Sequence, residues 1–197
     1  LLEEVIVFLI RSPLKTMYDP KYSNHEAKGR VRSMLLKHIP KIPGKAVTLP
    51  CLNFELEYAL LKKDWNVKTI ECIKSVYDEQ KKICKDIKGL NNFYGSTVDY
   101  FRGYRKYVNF AYLDFCSALS ADIITTLVNT RAQVIGITLV MRRDHYSLHL
   151  LKELGRGAYY VRIFNTHGYV IADRIEYKGE KGTPMCTFVL HKINHNA

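Results

Sequence analysis

Two carboxylates stand where apolar runs stop. Residues 67–70 (Val-Lys-Thr-Ile) read as a buried strand that ends on Glu71, and the run from Asn109 reads as a strong buried strand ending in Asp114. An acid at the end of the second strand of a strand–helix–strand unit can accept hydrogen bonds from both hydroxyls of a nucleotide's ribose. The competing reading is a surface glutamate at a strand end. Asp144 and His145 follow a third apolar run, either at the same end of a sheet or as plain surface residues. A second group of side chains is cationic. Arg102, Arg105 and Lys106 stand among Tyr100, Tyr104 and Tyr107, a mixture suited to phosphates and to base stacking, or to snorkelling on a surface. Lys28, Arg30, Arg32 and Lys37 share one stretch, readable as a nucleic-acid contact or a solvated helix face.

These side chains need elements to position them. Residues 46–49 read as a short strand stopped by Pro50, which lacks the donor a ladder needs. Asn53 is placed to cap a helix to about Lys63, with Phe54, Leu56, Ala59, Leu60 and Leu61 as its apolar stripe. The strand ending on Glu71 follows, so residues 44–77 hold a βαβ unit with parallel strands. The spacing then predicts a helix over 75–87 stopped by Gly89, a weak strand over 91–94, a short helix from Val98, a helix over 119–128, an apolar and therefore central strand over 133–141, and a helix over 146–154. Residues 168–177 and 184–192 read as a hairpin with no helix between them.

The chain has 197 residues, enough for one domain with a sizeable core. Residues 1–43 read as a basic N-terminal helical arm joined through Pro40 and Pro43 to a domain over 44–197; its helix starts at Ser23 or Asn24 and turns Ala27, Val31, Met34 and Leu35 inward. Between Leu1 and Lys45 there are nine lysines and arginines against four acids, within a formal net charge of +11. Such a surface attracts polyanions: nucleic acid, anionic lipid or acidic protein. The five cysteines (Cys51, Cys72, Cys84, Cys116, Cys186) form no CxxC pair, which points to reduced thiols and a cytoplasmic, intracellular setting. The apolar start, residues 1–10, includes Glu3 and Glu4 and is too short to span a bilayer. A Walker loop is missing and the seven histidines are dispersed, which argues against P-loop and metal chemistry.

Taken together, residues 44–193 resemble the class I methyltransferases, the Rossmann-like family that uses S-adenosylmethionine. Four places carry the resemblance: Val67-Lys-Thr-Ile-Glu71, Phe93-Tyr-Gly-Ser-Thr-Val-Asp-Tyr-Phe101, Ala111-Tyr-Leu-Asp-Phe-Cys-Ser117, and the terminal hairpin. The resemblance implies an α/β fold: a seven-stranded, mostly parallel sheet with helices on both faces and one antiparallel strand in the C-terminal hairpin. It implies S-adenosylmethionine as cofactor, held by Thr48, Leu49, Pro50, Glu71, Cys72, Gly95, Ser96, Thr97 and Asp114, with Asp114 facing the reacting end as the catalytic residue, in an orienting role; a dedicated base is not evident. The family's glycine-rich turn after the first strand is replaced here by Thr48-Leu-Pro-Cys-Leu-Asn53, whose β-carbons hinder close approach. The Asp-Pro-Pro-Tyr signature of amino-directed nucleic-acid enzymes is reduced to Asp114-Phe115-Cys116-Ser117. Cytosine-C5 enzymes carry a nucleophilic cysteine near that place, but the proline that precedes it there is missing, which favours a packing or inert role for Cys116.

The resemblance and the charge together point to a methyltransferase acting on nucleic acid, with Lys28, Arg30, Arg32, Arg102, Arg105, Arg142 and Arg143 as phosphate contacts. The alternatives are a catalytically silent methyltransferase-like module that binds nucleic acid or a protein, and an enzyme for a protein or small molecule with incidental charge.

Overall fold

The computed structural model describes residues 25–50, 54–103, 107–141, 148–179 and 182–193. Asn53, Arg105, Arg142, Arg143, Asp144 and His145 therefore lie outside the described residues, as do residues 1–24. Strands β1 (Lys45–Thr48), β2 (Asn66–Glu71), β3 (Leu90–Tyr94), β4 (Phe110–Asp114), β5 (Val134–Val140), β6 (Tyr169–Lys178) and β7 (Pro184–Lys192) form one seven-stranded sheet in the order 3-2-1-4-5-7-6. Strands β1 to β5 pair in parallel. β7 runs antiparallel to both of its neighbours, β5 and β6. The expected seven-stranded architecture, with one antiparallel strand in the hairpin, is what the chain adopts.

The helices are α1 (His25–His38), α2 (Glu55–Leu61), α3 (Lys74–Cys84), α4 (Thr97–Gly103), α5 (Ala121–Thr130) and α6 (Leu148–Thr166). They cover the two faces in turn. Val31, Met34 and Leu35 of α1, Leu56 and Leu60 of α2 and Cys84 of α3 pack with Ala46, Val67, Phe110 and Val134 on one face. Tyr100 and Phe101 of α4, Ile123 and Leu127 of α5, and Tyr159, Tyr160 and Phe164 of α6 pack with Val47, Ala111, Ile135 and Phe188 on the other. β5 is buried along its whole length, as its unbroken apolar run requires. β6, at the sheet edge, alternates between exposed and half-buried residues and carries a bulge between Ile171 and Asp173.

Several elements depart from their expected bounds, α3 stopping at Cys84 and α5 running over Ala121–Thr130 among them, and two departures change the packing. α6 continues to Thr166, well past Leu154, across a kink at Gly155, whose φ of 71° is not helical. Only glycine takes that conformation at little cost, so the helix bends there and resumes. The helix after β1 is shorter than expected, with Phe54 ahead of it in the left-handed region (φ 49°) and fully buried.

α1 reaches the sheet through a glycine. A Cβ on Gly136 of β5 would stand 2.3 Å from Leu35 Cδ2 and 3.0 Å from a Tyr112 ring carbon. Gly136→Ala should therefore overpack this contact and cost about 1–3 kcal/mol in urea unfolding. An unchanged midpoint would mean that α1 does not rest on β5.

Candidate functional site

The strand order reverses direction at β1 and β4, which are paired neighbours. Right-handed crossovers leave to opposite faces from such a pair, so a crevice opens at the carboxyl ends of its strands. Register places the two acids there. Thr48 stands opposite Thr69 of β2 and Tyr112 of β4. Glu71 and Asp114 each lie two residues further on. They are level with each other, on the sheet face that carries Thr48, where β1 has given way to Leu49 and Pro50.

Several of the side chains at these strand ends already have work in the fold. Glu71 Oε1 accepts the backbone N–H of Ile73 at 2.7 Å, ahead of α3. Ser96 accepts the N–H of Asp99 at 3.0 Å and donates to its carboxylate at 2.7 Å, which caps the start of α4. The Thr97 hydroxyl is within 3.0 Å of that of Thr126 on α5. Gly95 takes φ 148°, and a Cβ there would stand 2.7 Å from the Phe93 ring. Cys72 is exposed beside Glu71. Cys116, in a left-handed turn (φ 47°), donates its thiol to Asp114 Oδ1 at 3.0 Å.

Asp114 also lines a narrow cleft of about 50 Å³ with Leu49, Glu57, Tyr112, Tyr177 and Lys28. The floor of this region is a run of hydroxyls. Tyr112 Oη lies 3.1 Å from Thr138 Oγ1, which lies 2.8 Å from Thr187 Oγ1. Tyr177 faces the same threonines, and burial, helped by the Asp114 charge, pushes its phenol well above the usual range. Each of these residues comes from a different strand, so only the register assembles them.

Glu57 is the residue that sequence reasoning missed. It is only 2% exposed, on the sheet-facing side of α2. Burial pushes its carboxyl above the ordinary range; the Thr48 hydroxyl and its own backbone N–H oppose this, and the Asp114 charge adds to it. The signal was present: Glu57 follows Phe54 by three and precedes Leu60 by three, which places it on the apolar stripe rather than beside it. Because the neutral acid is the form the fold favours, its contribution to stability is fully present below the unfolded pKa and is lost as pH rises through the folded one. Glu57→Gln should thus be more stable than the parent at pH 8, with the gap closing at pH 4, as read by urea unfolding at both values. A gap that widens on acidification would show the carboxylate to be ionised and paired.

The basic residues divide. Lys28 and Arg32 line the cleft, and Arg32 is hydrogen-bonded to Glu55 on α2. Arg30 and Lys37 are exposed on another side of α1, along a groove against β6. Arg102 is exposed on α4, whose core residues pack on the opposite sheet face from α1. Among the described residues no group of three or more His, Cys, Asp or Glu side chains is placed to hold a metal ion, and no helix is long and apolar enough to cross a membrane.

No protein-family model matches the sequence, and no curated protein matches it by sequence. Solved structures do match. A Pyrococcus horikoshii protein described provisionally as an RNA methyltransferase is 15% identical, with 98% of this chain and 99% of that one covered at a TM-score of 0.64. The 1,6-didemethyltoxoflavin-N1-methyltransferase of Burkholderia thailandensis, solved with S-adenosylhomocysteine, is 10% identical over 87% of this chain and 80% of its own, with a TM-score of 0.61. The fibrillarin pre-rRNA processing protein of Methanococcus jannaschii is 14% identical over 87% and 76%, also at 0.61. With the strand order 3-2-1-4-5-7-6 and its antiparallel seventh strand, the chain has the fold of the class I S-adenosylmethionine-dependent methyltransferases.

Proposed function

We propose that this chain binds S-adenosylmethionine and transfers its methyl group to nucleic acid. The observation that carries the reading is the level placement of Glu71 and Asp114 on either side of β1 at the switch point of this particular sheet. Ligands of open α/β sheets collect in that crevice. The residues fit the cofactor's polarity. Glu71 would accept from the ribose hydroxyls with the oxygen not turned to Ile73, Gly95 allows close approach at the end of β3, and Glu57 and Asp114 offer acid at the cationic end. When bound, the cofactor supplies a sulfonium-activated methyl group. The protein's part is to hold the acceptor in line with it, to keep water out and to receive a proton. Leu49, Tyr112 and Tyr177 make the cleft wall, and Asp114 orients the acceptor.

The nucleic-acid half of the reading rests on the net charge of +11 and the exposed cations of α1. Among the structural matches, one is named for RNA methylation and one for pre-rRNA processing, while another acts on a small heterocycle, so the fold leaves the substrate open. A second reading, a module that has kept the fold without the chemistry, is favoured by the first loop, where Leu49, Pro50 and the left-handed Phe54 stand in place of glycines.

Isothermal calorimetry with S-adenosylmethionine separates the two. Binding is expected, and Glu71→Ala should weaken it by about 1.5–3 kcal/mol, the worth of hydrogen bonds to a charged group. Unchanged affinity in a folded variant would remove Glu71 from the site, and no binding by the parent would leave the silent module as the reading.

A further inference from the structure

Glu57 is buried in the wall of the cleft that Asp114 also lines. A carboxylate in such a place needs a cation, and the groups whose charge or hydrogen bonds bear on the Glu57 carboxyl, Thr48, its own backbone N–H and Asp114, include no basic one. Arg32 of α1 is bonded to Glu55, at the exposed start of α2. Lys28, also on α1, is at the cleft wall. The other titratable groups that bear on Glu57 bring no positive charge: Asp114 from β4, Tyr58 from α2 and Cys84 from α3, whose thiol burial and the Glu57 charge push up to about 11. Tyr177 on β6 closes the far side as a neutral phenol. A second observation points the same way. Thr48 Oγ1 is fully buried at the end of β1 and makes no hydrogen bond of normal geometry, with the Glu57 carboxyl the group it faces. A buried acid and an unsatisfied hydroxyl side by side at a switch-point crevice are costly unless something completes them.

We propose that Glu57 is a proton acceptor whose charge is coupled to the cofactor: it is neutral in the ligand-free chain, gives up its proton when a sulfonium enters the cleft beside Asp114, and takes one back from the acceptor during methyl transfer. This rests on the proposed cofactor. The sulfonium is the relevant cation because its charge is the one that disappears in the reaction at the end of the cofactor facing Asp114. The steps balance. The acceptor's lone pair forms the bond to the methyl carbon, the carbon–sulfur bond breaks with its pair passing to sulfur, and the acceptor's N–H or O–H proton moves to the Glu57 carboxylate. The products are the methylated acceptor, a neutral thioether and a neutral Glu57. The cleft thus holds the same net charge before cofactor binding and after reaction, and the thioether product meets a neutral acid.

The test is calorimetry at pH 7 in phosphate and in Tris, whose different ionisation heats report protons released on binding. S-adenosylmethionine should release close to one proton per molecule bound, S-adenosylhomocysteine close to none. Glu57→Gln should bind both with equal heats in the two buffers. Carboxyl ¹³C shifts of the parent protein, labelled at glutamate, give the same answer without a variant: one buried resonance should move to the ionised range with the sulfonium ligand alone. Binding without proton release, equal release with both ligands, or release that persists in Glu57→Gln overturns the inference while leaving the cofactor in place. Failure of S-adenosylmethionine to bind at all overturns both.

Discussion

Phe188→Ala should cost about 3–5 kcal/mol, a large share of the roughly 5–15 kcal/mol that holds a domain of this kind together. Phe188 lies on β7, is 1% exposed, and its ring centroid stands 5.1 Å from that of Tyr160 and 5.4 Å from that of Phe164. Both partners belong to the part of α6 beyond the kink at Gly155. Truncation removes the transfer energy of a phenyl ring and leaves a cavity between a rigid strand and a helix that cannot fully collapse onto it. The measurement is the urea midpoint at unchanged slope. Val128→Ala, at a position 52% exposed on α5, serves as the control and should stay within about 0.5 kcal/mol. A cost below about 1 kcal/mol for Phe188→Ala would mean that the end of α6 is not packed on the antiparallel strand. Because β7 pairs with β5 and so brings Thr187 up to Thr138, the same loss should loosen the hydroxyl floor of the cleft.

What the sequence made legible follows from the range of the interactions involved. Most of the strands were plain because their signals are local: β5 is an unbroken apolar run, β2 and β4 stop on acids, and the last two strands share a turn too short for a helix, while β3, with two asparagines, gave a weak signal. The end of α6 was hidden because Gly155 and Gly157 resemble a stop, and it takes the packing of Tyr159, Tyr160 and Phe164 on the sheet to carry the helix past them. Residues 1–43 read as an arm because their charge dominates. The apolar side of α1 was equally visible in Ala27, Val31, Met34 and Leu35, all buried, but its docking site depends on Gly136, more than a hundred residues away. The acids at strand ends could be found by position alone. Tyr112, Thr138, Thr187 and Tyr177 could not, since a shift of one residue in any register would turn them to the other face. Glu57 was overlooked for a different reason: a glutamate two residues after another, Glu55, reads as a solvated turn until its helix is seen to bury it.

The placement of the cations sharpens what nucleic-acid binding should look like. Arg32 is held by Glu55 beside the cleft, so reversing it would disturb α1 and α2 before it reported on a phosphate. Arg30 and Lys37 are the better probes, since both are exposed on α1. If each neutralises one phosphate, the Arg30→Glu, Lys37→Glu double variant should lower the magnitude of the slope of log K against log salt by about 1.8 on duplex DNA, or about 1.4 on single strands. Extrapolated from 1 M salt, a loss of 1.8 in slope is about 200-fold in affinity at 50 mM. The effect should be the same for unrelated sequences, because counterion release carries no base information. Circular dichroism should find the fold intact, since neither side chain belongs to the core. Fluorescence anisotropy with labelled duplex and single-stranded probes across a salt series measures both quantities. A double variant that binds as the parent does at 50 mM salt would make this side of α1 a solvated surface, and the net charge would then no longer support a nucleic-acid substrate.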